Sequence, residues 1–229
     1  MSNFKVNTEA IVAAIRYYYP DTIADIEKNK RYNYITLFGI RVDTCDTGKA
    51  DDVIGCIWMN GLGIWNSLIC AASTDPSPFY VANPLPEVVK SGGTAWVKEG
   101  QYSYFLDRYK GASAFRPLKP VPVYRMPAGQ GLDVSKATVS LSADTLIHRS
   151  WGSVVFKRDS AGCNILKNTE ELERIATMAR EHIKKYGINV FMYTLLTRQQ
   201  VETAAQIPVI ILENILLNFL GVNIKFATR

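Results

Sequence analysis

The stretch IHRSWGSVVFKRDSAGCNIL, running from Ile147 to Leu166, decides how the rest of the chain is read. It holds His148, one of 2 histidines in 229 residues, and it closes on the turn Ser160-Ala161-Gly162-Cys163. A thiol attacks as the thiolate, so it needs a base or a cation beside it. Cys163 is the candidate nucleophile and His148 the candidate base. Gly162 permits a backbone conformation closed to other residues and exposes amides beside the sulfur, where a developing oxyanion needs donors. Ser160 is placed to hydrogen-bond the backbone or the imidazole. Ser153 to Phe156 reads as a strand, and a hairpin-like return carries Cys163 back beside His148.

This pattern, a histidine, a spacer and then Ser-x-Gly-Cys, resembles the active-site motif of L,D-transpeptidase (YkuD-type) catalytic domains. The Ser-Ala-Gly-Cys form is similar to the version in cell-wall-degrading phage proteins. The resemblance is firm over residues 147–166, loose over 93–194, and does not extend to the termini. It implies cysteine-dependent acyl transfer on peptidoglycan stem peptides. Cys163 matches the nucleophile, His148 the base, and Ser160 and Gly162 the small residues before the cysteine. Two positions depart from the family. Ala161 stands where His or Arg is usual, and Asn164-Ile165 replace an apolar residue followed by Arg or Asn. Arg149 and Trp151 are candidates for holding the anionic substrate. Water as acceptor makes a peptidase and an amine makes a cross-link; the phage resemblance implies hydrolysis. Two other readings stand beside this one: a non-catalytic virion or assembly protein on the same scaffold, and a different thiol hydrolase, such as an amidase, using the same dyad.

The remaining cysteines carry no such surroundings. Cys45, Cys56 and Cys70 form no CxxC pair and have no histidine nearby, so no metal site is expected and Cys56 and Cys70 read as core. No cofactor is expected either. The chain is 48% hydrophobic and 21% charged with a net charge of +5, an ordinary globular composition. The basic excess is spread out rather than blocked, which argues against a nucleic-acid partner. The first residues, Met1 to Lys5, show no secretory signal. The expectation is therefore synthesis in the cytosol and action at the cell wall after carriage in a phage particle or release through a permeabilised membrane.

Outward from the motif, the chain predicts an α+β protein. Its body is a mainly β mixed sheet or flattened barrel over 32–196, with helical additions at 1–31 and 197–229. Asn7 precedes a helical apolar spacing from Ile11 to Tyr18, Pro20 stops it, and a short helix follows through Ile26. Tyr17, Tyr18 and Tyr19 read as packed with their phenols at the rim. Strands are expected over Tyr32–Val42, Val53–Met59, Phe79–Val81, Thr94–Val97, Val123–Arg125, Ala137–Leu141, Thr145–His148 and Ile188–Thr194. The acids of residues 43–52 read as a solvated loop, and Glu99-Gly100-Gln101-Tyr102 as a tight turn. The clearest helix starts at Asn168 and stops at Gly187. Its His182 reads as a surface residue near the C-terminus. Ile207 to Leu220 is nearly all apolar but too short to span a bilayer, which takes about twenty residues. It reads as a buried helix, or as a contact for a virion component or a second copy of the chain; no transmembrane segment is expected.

Overall fold

The computed structural model describes residues 6–42, 48–151 and 158–207. The expected strand over 153–156, Cys45 and the apolar run beyond residue 207 fall outside them. The chain is α+β. Its main sheet closes into an eight-stranded barrel, and a three-stranded sheet stands beside it.

Two helices come first. In α1 (Thr8–Tyr18) the Asn7 side chain accepts from the Ala10 N–H and caps the first turn. Pro20 then opens α2 (Pro20–Lys28), where its missing N–H does no harm. The barrel strands are β1 (Thr36–Arg41), β2 (Asp52–Met59), β3 (Trp65–Ser73), β5 (Gly100–Tyr109), β6 (Ala112–Pro117), β9 (Ile147–Arg149), β10 (Asn164–Leu166) and β11 (Phe191–Thr197). They run in the order β1-β11-β5-β6-β9-β10-β3-β2 and back to β1. The second sheet is β4 (Thr94–Val97), β7 (Val121–Met126) and β8 (Thr138–Ser142), in the order β4-β7-β8.

Alternation along β1 explains the packing. Leu37 joins the main core cluster with Tyr104, Phe115, Ile147, Leu166 and Tyr193. Phe38 and Ile40 join a second cluster formed with Ile11 and Ile15 of α1 and with Val201 and Ala204 of the helical residues 198–207. Both faces of β1 are therefore covered, and all six of its residues are buried. The helices flanking the body thus share a core with it. Among the tyrosines of 17–19, Tyr17 is exposed while Tyr18 and Tyr19 pack against that second cluster.

Several elements differ from expectation. Residues 78–82 form a helix, α3 (Pro78–Ala82), because Ser77 is extended and Pro78 fixes a helical φ at the first position. A further short helix, α4 (Pro86–Lys90), starts on another proline. Gly100-Gln101-Tyr102 opens the ten-residue β5 instead of forming a turn. The largest topological difference lies at the motif. β9 and β10 are parallel neighbours, with Asn164 opposite Ile147 and Ile165 opposite His148. Parallel neighbours need a crossover, so the connection cannot be the expected hairpin-like return.

The last long helix, α5 (Thr169–Tyr186), has the expected ends. The Asn168 side chain accepts from the Glu171 N–H, and Gly187 is left-handed with φ 69°. Its apolar face continues through His182, one and two turns on from Met178 and Ile175. His182 is 1% exposed, not on the surface, with the rings of Tyr34, Tyr186 and Phe191 around it. Among the described residues no helix is long and apolar enough to cross a membrane.

Candidate active site

β9 carries His148 and β10 begins immediately after Cys163. The Asn164 N–H donates to the Leu146 carbonyl at 2.8 Å. Continuing the parallel register sets Cys163 beside Leu146, two residues from His148 on the neighbouring strand. Both side chains border one cleft of about 420 Å³, together with Trp151, Ser160, Gly162, Tyr109, Lys110 and Asp144. Arg149 does not border it. Its guanidinium bonds Thr169 Oγ1 at 3.0 Å at the start of α5 and lies over the Trp151 ring. Of the two residues expected to meet substrate, Trp151 borders the cleft and Arg149 does not, as alternation from His148 dictates.

The imidazole is held neutral. His148 is 2% exposed, and its Nδ1 lies 2.7 Å from the Arg149 carbonyl. A carbonyl oxygen only accepts, so Nδ1 carries the proton and Nε2 keeps its lone pair. Burial holds the ring below the usual histidine range, and the Lys110 charge adds to this; the Arg149 carbonyl and Asp159 pull the other way. The ring is neutral at neutral pH.

The sulfur is less ready than the motif implied. Burial pushes the Cys163 thiol up to about 11, and Asp144 adds to the shift, while the Leu146 N–H, Ser160 and Arg116 oppose it. Its S–H donates to the Asp144 carbonyl at 3.3 Å. Among the described residues no hydrogen bond joins sulfur to imidazole. The resting pair is thus a thiol and a neutral ring sharing a cleft, not a preformed ion pair.

Of its two expected partners, backbone and imidazole, Ser160 bonds the backbone. Its Oγ accepts from the Gly162 N–H at 2.9 Å and donates to the Cys163 carbonyl at 2.8 Å. It shapes the turn beneath the sulfur, and no hydrogen bond joins it to His148. The Gly162 N–H is consumed by this contact, so it is no oxyanion donor. The Cys163 N–H has no acceptor among the described residues and remains available. Gly162 itself has φ 146°, and a Cβ there would meet Ala95 Cβ and its carbonyl oxygen at 3.0 Å. Only glycine fits.

The turn is bolted from outside. Ser77 Oγ accepts from the N–H groups of Asp159 and Ser160, each at 2.9 Å. The Asp159 carboxylate accepts from Ser150 Oγ and the Trp151 N–H, tying the turn to the end of β9. Behind Ser77, the buried Arg41 donates to Thr74 Oγ1 and to Glu99 at 2.7 Å, and Thr74 donates to Asp52. Residues 73–78, with Pro76 and Pro78, present in sequence only a loop. Nothing local distinguishes Ser77 from any other loop serine, whereas Asp159 stands directly against the motif. Lys110 sits with Gly111 at the β5–β6 turn, both at positive φ. Its ammonium lies 5.1 Å from the Tyr109 ring centre and 5.5 Å from that of Trp151. Lys110, Arg125 and Arg158 face Glu87, Asp144 and Asp159 around the cleft, a mixed field.

No family model, curated protein or solved structure matches this chain. Among the described residues no group of three His, Cys, Asp or Glu side chains is placed to hold a metal ion.

Proposed function

We propose that the chain is a cysteine-dependent acyl transferase of the L,D-transpeptidase kind, acting on peptidoglycan stem peptides as a peptidase or a cross-linking enzyme. The observation that carries this reading is the shared cleft. A neutral imidazole with a free Nε2 lies diagonally across two parallel strands from a thiol on a turn built around glycine.

In this reading the sulfur leaves the Asp144 carbonyl and gives its proton to His148 Nε2. The sulfur attacks the substrate carbonyl, and the Cys163 N–H donates to the oxyanion. The intermediate collapses, the imidazolium gives its proton to the leaving amine, and a thioester remains. Water, deprotonated by His148, releases the acid and regenerates the thiol; an amine acceptor forms a new amide by the same route. The phage resemblance favours water as acceptor, and carriage in a particle or release at the lysing cell's wall.

A second reading is favoured by one observation: the Cys163 S–H is held by the Asp144 carbonyl and not by His148. In that reading the chain is a virion or assembly protein that retains the scaffold without turnover. Incubation with purified muropeptides, followed by mass, separates them. Product formation by the parent chain that Cys163→Ala and His148→Gln both abolish supports the enzyme. Intact muropeptides after prolonged incubation at several pH values overturn it.

A further inference from the structure

The buried His182 borders a second cleft that the cysteine chemistry does not use. Its Nδ1 accepts from the Ile35 N–H at 3.2 Å, so the neutral ring carries its proton on Nε2. That Nε2–H is buried and has no acceptor among the described residues. A buried donor without an acceptor is costly, and native proteins rarely leave one unfilled. The ring forms part of the wall of a cleft of about 400 Å³ between β2 and the second half of α5. Trp58 and Met178 give that cleft an apolar side, and Asn33, Glu181 and Lys185 give it polar ones.

Trp58 and Met178 also border an adjoining cleft of about 510 Å³, whose rim carries Glu170, Glu173 and Arg174. The two clefts therefore run on from one another along α5, with a half-exposed indole between them. An aromatic face flanked by hydrogen-bonding rims matches a pyranose, which has an apolar C–H face and polar edges. The lone deep donor asks for an acceptor, and the aromatic and thioether groups near it suit a methyl group. An acetamido substituent supplies both. A bound peptide strand would need alternating backbone partners along its length, and the cleft offers a single buried donor.

We propose that this groove binds an oligosaccharide of N-acetylated sugars, with a pyranose ring on Trp58 and an acetamido carbonyl on His182 Nε2–H. Neither residue borders the His148 cleft, so the site stands or falls independently of the cysteine chemistry.

The test titrates chitotriose into the full chain by calorimetry, with cellotriose as the comparator lacking acetamido groups. Chitotriose is expected to bind and cellotriose to bind at least about tenfold more weakly, the loss of roughly one buried hydrogen bond. Trp58→Ala is expected to lose chitotriose binding by about tenfold or more. His182→Phe is expected to erase the preference between the two sugars, and His182→Gln, which retains a donor, to restore part of it. Circular dichroism establishes that each variant is folded. Absence of chitotriose binding to the parent chain at millimolar concentration overturns the proposal and leaves water as the acceptor. Equal binding of the two sugars by the parent chain, or undiminished binding by folded Trp58→Ala, overturns it as well.

Discussion

Ser77 and Ser160 hold each other from both sides. The Ser160 N–H donates to Ser77 Oγ at 2.9 Å, and the Ser77 N–H donates to the Ser160 carbonyl at 2.8 Å. The Cys163 turn is thereby fixed to a loop far away in sequence, which Arg41 and Thr74 fix in turn. Ser77→Ala strands the N–H groups of Asp159 and Ser160. A loss of about 1–3 kcal/mol is expected, read as a lower urea midpoint at unchanged slope. A midpoint equal to that of the parent chain would sink this account of the turn.

Gly162→Ala tests the turn from within. The new methyl meets Ala95 at 3.0 Å while the backbone stays at a φ that L residues rarely adopt. A destabilisation of about 1–3 kcal/mol is expected in thermal melts. Adding Ala95→Gly is expected to recover only part of it, since the backbone strain remains. Full recovery would show that crowding alone makes glycine necessary.

The state of the sulfur can be read directly. With its thiol near 11, Cys163 should react with iodoacetamide at neutral pH more slowly than free cysteine, and the rate should climb steadily as pH rises toward that value. Cys56 and Cys70 are buried, so Cys163→Ala provides the background. Fast reaction at pH 7 would mean a thiolate–imidazolium pair, contrary to the contacts described. Because burial holds His148 below its ordinary value, any turnover should lose its base at a lower pH than it would with an ordinary imidazole.

Much of this was legible beforehand, and the reasons are local. Asn168 and Gly187 mark the ends of α5 because a cap oxygen and a left-handed glycine act on adjacent backbone. The nearness of His148 and Cys163 was legible through a motif, but the strand pairing that produces it was not. A parallel register depends on partners elsewhere in the barrel, and Asn164 and Ile147 bear no mark of it. His182 was misplaced for a similar reason. A histidine beside two lysines reads as surface, whereas the ring stack of Tyr34, Tyr186 and Phe191 is assembled only by the fold. Arg149 stands off the cleft because adjacency to His148 in sequence means the opposite direction on a strand.

Burial of His182 also predicts how the fold answers acid. The ring is held down to about 4, chiefly by desolvation, against about 6.5 in an unfolded chain. Between those values the unfolded state takes a proton that the folded state refuses, so the His182 contribution to stability falls as pH drops from 6.5 toward 4 and levels off below. His148 is shifted in the same direction. His182→Gln is expected to show a shallower loss across that window in melts taken at successive pH values. A slope identical to that of the parent chain would count against a neutral buried ring.

The barrel closes through β1 and β11, with Leu37 beside Tyr193 and Arg41 beside Thr197. The ring's first and last staves thus come from opposite ends of the described chain. During synthesis the early strands must wait, open along one seam, until residue 197 has cleared the ribosome. Such distant pairing makes for slow maturation. The cleft that holds Cys163 is therefore finished only after β11 has been made, and a truncated chain ending before β11 inherits the thiol and the imidazole without the vessel that brings them together.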